Sequence, residues 1–461
     1  MTGKSPDLGK DPIAKLVLSL AVPAMLAQFV NVLYSIVDRI YIGHIPEIGT
    51  MALAGVGVCG PLVTAISSFA SWIGLGGAPL LTIRMGEKNL PAARAILANC
   101  FVLLAGVSVL LTAVVFCFKG AFLNWFGAGP NTFAYADEYL TWYAAGTIFA
   151  ILSTGLNSFI VCQGHAKAGM LTVLVGAVTN IALDPLFIFG FGWNVMGAAV
   201  ATVISQACSA AFTLIFLFGR RPQVRITFSG YARKIMGKVL LLGFSPFLII
   251  MTDSVMILAL NAVLQRYGGE AGDTLVTAAT IVLSFMSLVT MPLGGITGGT
   301  QPILSFNYGA QNSARVKRGQ AVILCACLIF TSVMFLVSRF GGSAFARIFT
   351  SDEEIISLTA ENIGVYSMMI IPLAFQYAFV DGLTALGIAP AAISLSMFRK
   401  IVLMLPLTLL LPAFSGASAA FWAEPIADAA GSLVSTAVYL CLINRILRKR
   451  EAVRVEPAGR A

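Results

Sequence analysis

Residues 76–89 read GGAPLLTIRMGEKN, and residues 297–312 read TGGTQPILSFNYGAQN. Set Pro79 against Pro302 and the two stretches fall into step, with Gly86 on Gly309 and Asn89 on Asn312. The offset is 223 positions, and it extends well outside these stretches. Upstream, Pro23 meets Pro246; downstream, Arg94 meets Lys317, Phe126 meets Phe349, Glu138 meets Glu361, Tyr143 meets Tyr366 and Gly164 meets Gly387. One offset held over about 140 residues marks an internally duplicated chain.

The composition says what was duplicated. Of 461 residues, 58% are hydrophobic and only 11% charged, where a soluble domain carries ~25% charged. The apolar residues gather into runs long enough to cross a bilayer, which takes ~20 residues. Twelve such runs are read, near 13–40, 50–82, 95–118, 139–162, 168–192, 196–219, 239–263, 275–305, 319–338, 362–386, 391–414 and 417–443. The fold class is therefore an all-α polytopic membrane protein of twelve transmembrane helices in two six-helix repeats. Six is even, so the second repeat starts on the same side as the first and the repeats run parallel. The expected domains are a first lobe over 1–219, a linker over 220–238, a second lobe over 239–444 and a basic tail over 445–461.

Basic residues fix the expected orientation. Of the 29 Lys and Arg, 22 fall in one set of connections and termini, including Arg84, Lys88, Arg94, the linker GRRPQVRITFSGYARKIMGK (219–238) and the tail from Arg445. Five fall on the other face: Arg39, Lys119, Arg266, Arg339 and Arg347. The positive-inside rule puts both termini in the cytoplasm. The expected location is the plasma (cytoplasmic) membrane. The net charge of +9 then reflects topology and anionic lipid heads, with no support for nucleic-acid binding. The eight cysteines lie within or beside apolar runs and read as small buried apolar residues. No cleavable signal peptide is read, because the first apolar run is long and holds Gln28, Asn31 and Asp38.

An ionisable residue in hydrocarbon costs at least ~2.5–3.5 kcal/mol, so each one needs a reason. Asp184 lies inside span 5 directly before Pro185, with Asn180 one helical turn earlier on the same face. Pro185 cannot donate to the carbonyl of Ile181, which leaves that oxygen available. A carboxylate, an amide oxygen and a free carbonyl suit a hard monovalent cation or a proton relay. Thr202 in span 6 adds a hydroxyl, and Asp38 in span 1 a second carboxylate. Each also has a plainer reading: a helix-terminus acid at an Asp-Pro break, a hydroxyl bonded back to its own helix, an interfacial acid paired with Arg39. In the second lobe the candidates are Asp253 in span 7, and Tyr377 and Asp381 one turn apart in span 10. Arg399 and Lys400 in span 11 are placed to neutralise some of the second-lobe acids, Glu424 and Asp428 of span 12 first among them. His44 and His165 lie in or beside loops without metal-ligand spacing, and no phosphate-binding loop is present.

At this point the chain resembles the MATE family, the multidrug and toxic compound extrusion transporters. The likeness covers nearly the whole sequence. It is carried by VPAMLAQFVNVLYSIVDRIYIG (22–43), by the paired stretches at 76–89 and 297–312, and most specifically by NIALDPLFIFGFGWNVMGAAVATVISQ (180–206). The resemblance implies two lobes in a V around a central cavity, and exchange of drugs or organic cations outward against Na⁺ or H⁺. It implies that Asp38, Asn180, Asp184 and Thr202 form a first-lobe cation site that takes Na⁺ or H⁺. Tyr377 and Asp381 resemble the second-lobe pair of another branch, which has a Glu in span 7 where this chain has Asp253 nearby. Small amphiphilic or cationic drugs are the expected partners, together with membrane lipids. The chain is expected to be a monomer without a cofactor beyond the coupling ion.

Two other functions compete with this reading. A lipid-linked oligosaccharide flippase of the same superfamily calls for several basic residues lining a cavity, whereas only Arg399 and Lys400 lie inside a span. A membrane-embedded enzyme needs a reactive constellation such as paired histidines or a close carboxylate dyad on facing helices, and His44 and His165 are in the wrong places for it.

Overall fold

The computed structural model describes residues 7–126, 129, 132–350 and 352–452. None of the described residues lies in a strand. The first repeat forms α1 (Ile13–Gly43), α2 (Gly49–Gly86), α3 (Leu90–Trp125), α4 (Phe133–Ala145), α5 (Thr147–Val161), α6 (Ala166–Pro185) and α7 (Asn194–Phe218). The second forms α8 (Arg233–Gly268), α9 (Gly272–Gly309), α10 (Ser313–Ala346), α11 (Glu353–Tyr366), α12 (Ile370–Ala385), α13 (Ala389–Met397), α14 (Leu405–Ser415) and α15 (Ala423–Ala452). Among the described residues, ten helical stretches are long and apolar enough to cross a membrane, and up to twelve if each of two bent pairs is one span.

The bent pairs are the same element in both repeats. α4 and α5 meet at 57°, and α11 and α12 meet at 49°. Gly146 stands at the first break and Met369 opens the second helix, 223 positions on. The expected spans 139–162 and 362–386 are therefore each a broken helix that begins earlier in the chain.

Local sequence explains the other ends. Asn89 caps α3 by accepting from the Ala92 amide at 3.1 Å, with Pro91 in the first turn. Its repeat partner Asn312 caps α10 in the same way at Arg315, also 3.1 Å. After Pro185 the chain widens into a π turn over Leu186–Gly190, where the Phe191 amide bonds the Leu186 carbonyl at 2.9 Å. Proline removes the donor that would continue the α pattern, and a wider turn accommodates the break. The matching span of the second repeat carries its own π stretch over Phe398–Met404.

By internal contacts the chain divides into two compact units. One is Leu26–Ile250 with Asp7; the other is Leu8–Met25 with the chain from Met251 onward. The boundaries thus fall within α1 and α8, a few residues after Pro23 and Pro246, and 220–238 lies inside the first unit. In the first unit the early part of α8 lies on α2. Trp72 Nε1 donates to the Leu240 carbonyl at 2.7 Å, and the Trp72 and Phe247 rings stack at 4.6 Å. In the second unit the early part of α1 lies on α9, where Asn307 Nδ2 donates to the Leu8 carbonyl at 3.0 Å and Arg315 Nη2 to that of Asp11 at 2.8 Å. The second unit's core gathers Val282, Phe285, Ile370 and Phe421.

The cysteine expectation holds only in part. Cys59, Cys100, Cys162 and Cys327 are buried, but Cys117, Cys325 and Cys441 are exposed. They sit on outward faces of apolar helices, where lipid takes the place of a protein core, so an apolar neighbourhood did not mean protein burial.

Candidate functional site

The first unit brings the four candidates of the first repeat together. Asn180 and Asp184 share a face of α6 by their four-residue spacing, and Asn180 Nδ2 donates to Asp184 Oδ1 at 3.2 Å. The same nitrogen lies 3.4 Å from Thr202 Oγ1, which α7 contributes. Asp184 is fully buried and Asn180 is 1% exposed. Asp38 reaches them from α1, and its carboxyl stands at hydrogen-bonding range of the Asp184 carboxyl. Two carboxyls in such a contact need a proton or a cation between them.

Three oxygens in this cluster have no partner: Asp38 Oδ1, Asn180 Oδ1 and Asp184 Oδ2. All are acceptors, and buried acceptors of this kind are ordinarily satisfied. A hard cation bound by oxygen, or a proton on one carboxyl, meets that need. The donors are all oxygens, and oxygen donors suit a hard cation or a proton better than a soft transition metal.

The sequence reading left out the tyrosines around these acids. Tyr34 stands one turn before Asp38 on α1 and lies within electrostatic reach of both Asp38 and Asp184. Tyr139 lies within electrostatic reach of Asp38, and its ring stacks on Tyr143 at 6.1 Å. Tyr143 in turn lies near Gln206 and Ser67. The spacing of Tyr34 and Asp38 was visible in the sequence; the approach of α4 was not.

In the second unit the candidates are dispersed over different partners. Asp253 Oδ1 accepts from Lys400 Nζ at 2.5 Å. Asp381 Oδ2 accepts from Thr297 Oγ1, also at 2.5 Å. Tyr377 lies within electrostatic reach of Asp253, Asp381 and Arg399. Arg399 bonds Asp428 and stands 3.2 Å from Glu424. Asp253 and Asp381 therefore do not pair, and the two basic residues of span 11 neutralise acids as their position suggested.

The MatE family model matches residues 23–186 and again 247–410, once per repeat. The multidrug export protein MepA of Staphylococcus aureus (strain MRSA252) is 24% identical over 444 residues, covering 95% of this chain and 96% of MepA. MepA of Staphylococcus haemolyticus is 22% identical over 96% of this chain and 97% of its own length. A solved outward-facing conformation of a multidrug resistance MATE family transporter of the MOP superfamily superposes with a TM-score of 0.90 at 22% identity, over 97% of this chain and 99% of that one. The two matched repeats together span most of the chain, and this protein belongs to the MatE family of membrane transporters.

Proposed function

We propose that this chain is a secondary multidrug efflux transporter, which exports small amphiphilic or cationic drugs in exchange for Na⁺ or H⁺. The observation that carries the coupling half of this reading is the cluster of unpartnered acceptors on Asp38, Asn180 and Asp184 beside Thr202. The drug half is supported by relatives described as multidrug export proteins over nearly their whole length. The chain works as a monomer in the plasma membrane, with both termini in the cytoplasm.

Each residue has a task in this mechanism. Asp184 and Asp38 receive the incoming cation; with two carboxyls in contact, one positive charge relieves their repulsion. Asn180 Oδ1 and Thr202 Oγ1 complete the oxygen set. In this scheme the Asn180 amide nitrogen keeps Asp184 oriented. Arrival of the cation changes the balance between the two access states only because it binds them unequally. Drug leaves on the side from which the cation enters, and the repeats then exchange access. Asp253, Tyr377 and Asp381 contribute to drug or ion recognition in the second unit.

The direct test is cation-driven drug efflux in proteoliposomes. Asp184→Asn keeps the size and the Asn180 contact but removes the charge. Gradient-driven efflux is expected to fall to the level of liposomes without protein. Intact coupled efflux in that variant would falsify the assignment.

A further inference from the structure

A second cluster of titratable groups lies in the second unit, and its charges do not balance. Glu424 and Asp428 stand one turn apart on α15, 5% and 0% exposed. One guanidinium serves both: Arg399 Nη1 bonds Asp428 Oδ1 and stands 3.2 Å from Glu424 Oε1. The neighbouring Lys400 is engaged elsewhere, with Asp253 at 2.5 Å. Tyr366 from α11 offers its hydroxyl to Glu424 Oε2 at 3.5 Å.

Arg399 is held where it is. Its stem runs across Gly431, and a Cβ there would stand 2.9 Å from Arg399 Cγ. Two polar atoms of the cluster are left over: Asp428 Oδ2 and Ser432 Oγ are buried without a hydrogen-bond partner. Ser432 is 4% exposed and follows Asp428 by one turn, so Glu424, Asp428 and Ser432 form one stripe along α15.

Arg399, Lys400 and Glu424 act on Asp428. Tyr366, Tyr377 and Asp253 complete the surroundings from α11, α12 and α8. With both carboxyls ionised, one guanidinium leaves a full negative charge buried, which the interior strongly opposes. A metal cation would have to sit beside a guanidinium already in place between the acids. A proton removes the excess charge without displacing anything. Glu424 already has the Tyr366 hydroxyl, so the free valence is on Asp428 Oδ2.

We propose that Glu424 and Asp428 hold one proton between them, on Asp428 Oδ2, with the Ser432 hydroxyl as its acceptor directly or through one water. This is a proton-binding site on the second repeat, separate from the acids of the first, and it does not depend on what those acids bind.

Infrared spectroscopy of the purified protein in lipid at neutral pH tests it. An Asp38→Asn/Asp184→Asn background silences the first-unit acids. In that background a protonated-carboxyl band is expected, and it is lost in both Asp428→Asn and Glu424→Gln, since one acid then balances Arg399 as its ionised partner. Retention of every protonated-carboxyl band in both variants overturns the proposal. So does a band that appears only when Na⁺ is withdrawn, which would indicate a metal ion in the proton's place. If either variant fails to fold, Ser432→Ala decides, because it removes only the acceptor. A shift of the same band supports the site, and an unshifted band overturns it.

Discussion

Asn180 directs one amide nitrogen at two oxygens, Asp184 Oδ1 and Thr202 Oγ1, and so ties α6 to α7 while leaving its own oxygen free. A single residue outside the spans offers an equally local test. His165 precedes α6, with its ring 5.2 Å from that of Phe216. Burial, and after it the Arg221 guanidinium, hold His165 below its ordinary value of 6.5. The folded protein therefore resists a proton that the unfolded chain accepts. As the pH falls through about 6.5 the unfolded state binds more protons, and stability declines. The thermal midpoint is expected to drop between about pH 7.5 and 5.5, and His165→Gln removes part of that drop. Equal drops in both proteins would count against the linkage. At this scale much of the acid cluster was legible: a four-residue spacing joins Asn180 to Asp184, and Pro185 marks the break beside them. Thr202 and Asp38 were legible as polar groups inside spans 6 and 1, but no local spacing shows that they reach α6. Tyr139 and Tyr143 escaped because only tertiary packing brings α4 to Asp38.

Elements repeat more faithfully than side chains do. Gly76 on α2 and Gly299 on α9 are 223 positions apart, and each receives the early half of a long helix. A Cβ on Gly76 would stand 2.8 Å from the Gly243 amide nitrogen; one on Gly299 would stand 3.2 Å from the Leu20 carbonyl oxygen. Backbone atoms cannot yield as a side-chain tip can, so overpacking here costs about 1–3 kcal/mol. Gly76→Val and Gly299→Val are each expected to lower the thermal midpoint in detergent. Gly57→Val, with no neighbour within 4 Å, serves as the control and leaves it in place. A similar midpoint for all three would refute the close-approach role of Gly76 and Gly299. The helices themselves were readable because an apolar run and a basic connection are properties of single segments. The bends at Gly146 and before Ile370 were not, because they depend on how a span meets its neighbours, and Pro185 marked a break without showing that it widens into a π turn. The lobe boundary read at the polar linker differs from the contact boundary for the same reason. A linker is visible in composition, whereas the packing of the first half of α8 on Trp72 is not.

Across the whole molecule the framework repeats and the membrane acids do not. At the 223 offset Asp38 falls on Asn261, Asp184 on Leu407, Asp253 on Val30 and Asp381 on Ser158. Duplication supplied two similar scaffolds that now carry different charges: two acids facing each other in the first unit, and acids held by Lys400, Arg399 and Thr297 in the second, where Asp428 Oδ2 is also left without a partner. If ion coupling follows the facing carboxyls of Asp38 and Asp184, the repeats respond unequally to the loss of an acid. Proteoliposomes loaded with a fluorescent cationic drug separate the cases when Na⁺ and proton gradients are imposed independently. The parent protein is expected to export drug down one of these gradients. Asp184→Asn abolishes that response, while Asp381→Asn, whose acid already accepts from Thr297, keeps most of it and changes chiefly the drug concentration needed. Efflux that stops without Na⁺ but survives a proton uncoupler assigns Na⁺ to the first unit, and the converse assigns H⁺. Equal loss of the gradient response in both variants would place coupling on the two repeats together and remove the asymmetry argued from their acids.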